Sequence, residues 1–67
     1  MDKSIALPTL HEIAKNNSNS EIRAKAVYQI GNNSSSKQSI EILKNIALED
    51  SNSKVQEKAV YALYDMD

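Results

Sequence analysis

The sequence contains no cysteine, tryptophan or phenylalanine, and one glycine and one proline in 67 residues. Without cysteine there is no disulfide and no thiolate metal site, and the redox state of the compartment stays open. A single glycine excludes a Gly-rich phosphate loop. With Gly and Pro this scarce, and Ala, Leu, Ile, Glu and Lys abundant, helix is favoured over strand. No apolar run approaches the ~18 residues of a membrane span, and the start of the chain lacks the apolar core of a signal peptide. These features favour the cytoplasm and exclude a membrane partner. Eight basic and nine acidic residues are interspersed, with a formal net charge of −1. No basic stripe is present to neutralise phosphates, so nucleic acid is not an expected partner. The length allows one domain, residues 1–67, which buries only roughly 60% of its unfolded surface.

What is present is a repeat. Ser18-Asn19-Ser20-Glu21-Ile22-Arg23-Ala24-Lys25-Ala26-Val27-Tyr28 returns 33 residues on as Ser51-Asn52-Ser53-Lys54-Val55-Gln56-Glu57-Lys58-Ala59-Val60-Tyr61. Upstream, Leu10, Ile13 and Ala14 return as Leu43, Ile46 and Ala47. A constant offset implies stacked supersecondary units, each of which needs a neighbour to bury its apolar face.

Apolar spacing at three and four residues predicts four helices, at roughly 3–16, 20–30, 37–49 and 53–65. Asn19 is the preferred N-cap of the second helix, with Ser18 as rival, and Asn52 takes the same place in the second copy. Gly31 is expected to close the second helix as a left-handed C-cap. Asn32 to Ser36 reads as a polar loop. The predicted core is Leu10, Ile13, Ile22, Ala26, Ile30, Leu43, Ile46, Ala59, Val60 and Leu63. Short turns make consecutive helices antiparallel.

The stretches Asn19 to Gly31 and Ser39-Ile40-Glu41-Ile42-Leu43-Lys44-Asn45-Ile46-Ala47 resemble the short bacterial type of HEAT repeat, as found in phycobilisome lyases. That pattern is a polar turn, an acidic residue, Val or Ile, Arg, an Ala-Val-aromatic helix ending in Gly, then a Leu-x-x-Ile-Ala helix. The resemblance covers nearly the whole chain. Arg23 becomes Gln56 and Gly31 becomes Tyr64 in the second copy. Neither the ankyrin hairpin glycines nor the Trp and Phe of the tetratricopeptide repeat are present. The resemblance implies an all-α, right-handed α-α superhelix of armadillo-like type, about two repeats long. It implies a non-catalytic scaffold for protein–protein interaction, one segment of a longer array. The alternative is a fragment of a HEAT-type enzyme, either a metal-dependent hydroxylase or a phycobilin lyase.

No nucleophile–base set is legible, and the serines fall mostly in turns and caps. His11-Glu12 could belong to a di-iron hydroxylase site, but it is the only such dipeptide and its counterpart is Lys44-Asn45. No metal and no cofactor is therefore expected, and His11 reads as a solvated surface residue. The resemblance places the first and third helices on the concave side. The expected partner face is Thr9, His11, Glu12 and Lys15 on the first helix with Glu41, Ile42, Lys44, Asn45 and Leu48 on the third. Tyr28 and Tyr61 read either as packing against a neighbouring repeat or as exposed anchors for a protein partner. Ile5, Leu7, Tyr61, Tyr64 and Met66 leave the repeat ends without an evident polar cap. Self-association is expected there, with the Asn32–Ser36 loop as hinge.

Overall fold

A computed structural model describes residues 3–33 and 36–65, with side-chain environments from Pro8 to Asn32 and from Ser36 to Asp65. Four helices follow one another: α1 (Lys3–Asn16), α2 (Ser20–Asn33), α3 (Lys37–Glu49) and α4 (Ser53–Asp65). Among the described residues there is no strand. The end residues Met66 and part of the Asn32–Ser36 stretch lie outside the described residues, as do the side chains of Ile5 and Leu7.

The turns into α2 and α4 are built alike. Asn19 Oδ1 accepts from the backbone N–H of Glu21 at 2.8 Å and of Ile22 at 3.3 Å. Asn52 Oδ1 does the same for Lys54 at 2.8 Å and Val55 at 3.2 Å. One residue pair earlier, Asn17 Oδ1 accepts from Asn19 N–H at 2.9 Å and Asp50 Oδ1 from Asn52 N–H at 2.8 Å. Each turn is thus two Asx turns in series, and free N–H groups at the helix starts are satisfied locally. Ser36 caps α3 by accepting from Ser39 N–H at 3.2 Å.

α2 does not stop at Gly31. It continues to Asn33, and Gly31 has no positive φ. The glycine is required for another reason. A Cβ at Gly31 would lie 2.9 Å from Ala62 Cβ and 3.5 Å from Ala62 Cα. The seam between α2 and α4 closes over the missing side chain.

The hairpins α1–α2 and α3–α4 each pack along their length, and α2 lies as closely on α4. α1 and α3 make slight contact.

The core is Ala14, Ala26, Val27, Ile30, Leu43, Ile46, Val55 and Ala59. Leu10, Ile13 and Leu63 pack against it and are only partly buried. Ile22 and Val60, expected inside, are 43% and 53% exposed. Their counterparts one repeat away, Val55 and Val27, are fully buried. The difference is positional: Val27 and Val55 lie at the seam between repeats, whereas Ile22 and Val60 lie on the outer edges.

Arg23 locks that seam. Its Nε and Nη2 donate to Asp50 Oδ2 and Oδ1 at 2.9 and 3.1 Å, and its Nη1 donates to the Asn17 carbonyl at 2.7 Å. One largely buried guanidinium therefore ties the α1–α2 turn to the α3–α4 turn through a bidentate pair.

Candidate functional site

The face expected from the sequence lies along α1 and α3, and the structure divides it. His11, Glu41 and Ile42 line a groove of about 540 Å³ with Pro8, Lys37 and Gln38. Lys15 and Asn45 line a second one, of about 230 Å³, near the other end of the helices. Thr9, Glu12, Lys44 and Leu48 line neither. Glu12 accepts from Asn16 Nδ2 at 2.6 Å, Lys44 sits 3.8 Å from Glu41, and Leu48 is exposed. Ile42 is partly buried against the core, which accounts for an apolar residue at that position.

His11 is not a solvated surface residue. It is half-buried, and its Nε2 lies 3.2 Å from Ser39 Oγ. Ser39 is fully buried, and Ser36 Oγ donates to its hydroxyl at 3.2 Å. Burial holds the His11 imidazole below its usual pKa, and the Lys15 ammonium one turn on lowers it further. Chain spacing gave no hint of Ser39, which sits at an ordinary polar position of α3. Its burial arises because α1 crosses α3 there. Among the described residues, no three His, Cys, Asp or Glu side chains gather to hold a metal ion, and no helix is long and apolar enough to cross a membrane.

The opposite face, α2 with α4, was visible in the sequence only as two tyrosines. Tyr28 and Tyr61 are 58% and 59% exposed. They line one groove together with Gly31, Lys58 and Ala62. A larger groove of about 760 Å³ adjoins it, lined by Glu21, Lys25, Tyr28, Gln29, Lys54 and Lys58 among others. Tyr28 and Lys58 line both grooves. The repeat register creates the arrangement: Lys25 and Tyr28 on α2 stand beside Lys58 and Tyr61 on α4. On each helix the tyrosine lies one turn beyond its lysine.

The small residues at the seam make this possible. Gly31 and Ala62 bring the two backbones together. Longer side chains there would fill the groove from below. The signal in the sequence was the repetition of Lys-x-x-Tyr at the same register, and recognising it as a surface required knowing which helix face α4 covers.

A family model described as HEAT repeats matches residues 4–67. No match is found among curated proteins or among solved structures.

Proposed function

Because the chain belongs to the HEAT-repeat family, we propose that it is a non-catalytic protein-interaction module that holds its partner on the α2/α4 face. The single observation that carries this is the pair Tyr28 and Tyr61, exposed at equivalent positions over one groove. Large, stiff rings with a polar tip are effective anchors, since they bury much area for little lost side-chain entropy. A segment bound there would touch both repeats at once, since the grooves are lined from α2 and α4.

The charges favour an acidic segment of a partner protein. Lys25, Lys54 and Lys58 line the groove and none is within ion-pair distance of a carboxylate among the described residues. Lys54 and Lys58 are four residues apart on one helix, an arrangement that repels unless an anion sits between. The groove's own carboxylates are Glu21 near the start of α2 and Asp65 at the end of α4. The α1/α3 grooves offer no comparable aromatic pair. For the alternative of a metal-dependent HEAT-type enzyme fragment, no group of three His, Cys, Asp or Glu side chains is found among the described residues.

Selection of displayed random peptides on the immobilised protein tests the reading. Selected peptides should be rich in Asp and Glu. They should lose roughly tenfold or more in affinity on the double variant Tyr28→Ser/Tyr61→Ser and keep it on Lys44→Glu/Leu48→Ser. The opposite pattern would move the site to α1 and α3.

A further inference from the structure

We infer that both outer edges of this pair of repeats reject a second copy of this chain stacked in its own register, so that self-association through the ends does not compete with the α2/α4 face. The inner seam shows what stacking requires. On the α2 side it uses Arg23, Ala24, Val27 and Gly31; on the receiving side it uses Asp50 and Ala62. The 33-residue offset identifies the residues that would do this at the outer edges.

On the α4 edge, Gly31 corresponds to Tyr64, Arg23 to Gln56 and Ala24 to Glu57. On the opposite edge, Ala62 corresponds to Gln29 and Asp50 to Asn17. A second copy of the chain stacked on α4 as α4 stacks on α2 would press the Tyr64 ring into the place that, at the inner seam, has no room for a methyl group. The helix backbones would have to separate by the thickness of a ring, and the small-residue contact would be lost. Between copies of this chain the conflict doubles, because Tyr64 would meet Gln29 where Gly31 meets Ala62.

The polar lock fails at the same edges. The inner seam carries a bidentate ion pair between Arg23 and Asp50. Its counterpart between copies is Gln56 facing Asn17, two neutral amides without the charge or the fork geometry. Glu57 would also enter a seam where Ala24 packs against the core. The exposed Val60 and the 80% exposed Tyr64 look like an uncapped end. Their neighbours in the register make that end unfit for a second copy stacked in the same register.

Two sedimentation measurements test this. The wild-type protein, run from micromolar to millimolar concentration, should not grow into species beyond a dimer. The variant Tyr64→Gly/Gln56→Arg/Glu57→Ala/Gln29→Ala/Asn17→Asp restores the inner-seam residues at both edges. It should form concentration-dependent head-to-tail oligomers, with Tyr64→Ala in place of Tyr64→Gly associating less. Circular dichroism confirms that each variant is helical. Open-ended growth of the wild type would overturn the inference. So would a folded fivefold variant that stays monomeric. If the variant fails to fold, the wild-type series still decides the matter.

Discussion

Gly31→Ala sets two effects of opposite sign against each other. Gly31 lies inside α2 and has no positive φ, so its backbone accepts alanine without strain. On helix propensity alone the change stabilises the protein by about 1 kcal/mol. Against this, the new Cβ lies 2.9 Å from Ala62 Cβ, inside any ordinary contact distance, and Ala62 Cα is 3.5 Å away. Neither atom belongs to a flexible side chain, so relief requires α2 and α4 to move apart. Overpacking of this kind costs about 1–3 kcal/mol. The net expectation is a loss of about 1 kcal/mol, or a fall in Tm of roughly 4–8 °C for a domain of this size. The double variant Gly31→Ala/Ala62→Gly moves the methyl to the other helix. It should return to within about 0.5 kcal/mol of wild type, giving a coupling of about 2 kcal/mol between the two sites. Urea titrations followed by far-ultraviolet circular dichroism measure all four corners of the cycle. A Gly31→Ala protein as stable as wild type or more so would mean that the seam yields easily. The outer edges, whose closure depends on the same kind of contact, would then be open too.

Other consequences are as definite. Leu43 is fully buried, so Leu43→Ala should cost about 2–5 kcal/mol and leave little native population in so small a domain, as read by thermal melting. Arg23→Gln leaves Asp50 without its bidentate partner and should cost about 3 kcal/mol, with the loss expressed between the repeats; native-state hydrogen exchange should show α4 opening more readily. Stability should depend on pH through His11. Its folded pKa lies below the unfolded value of 6.5, so the unfolded chain binds the proton more readily. Stability is full above the unfolded pKa and is lost as the pH falls from there toward the folded pKa. His11 is the only histidine, so His11→Gln should flatten urea midpoints between pH 7 and 5.5; an unchanged slope would place the titration elsewhere.

Whatever depends on neighbours along the chain was legible in the sequence. Asn19 and Asn52 cap their helices because the accepting oxygen and the free N–H groups lie two and three residues apart, a distance that no tertiary arrangement alters. Leu43, Ile46, Ala26 and Ile30 are buried because a helix with one apolar stripe must turn it inward, whatever it packs against. The periodicity did not separate Val27 from Val60, which have the same residue type and register; one meets a neighbouring repeat and the other meets solvent. Nor could it distinguish a glycine that ends a helix from one that lets two helices touch, because Ala62 is distant in sequence and adjacent only after stacking. His11 likewise reads as solvated until α3 brings Ser39 beneath it. The Lys and Tyr pairs became a surface in the same way. Each residue's place on its own helix follows from local geometry, but the pairing across α2 and α4 exists only once the seam has closed, because burial and adjacency are properties of the assembled stack.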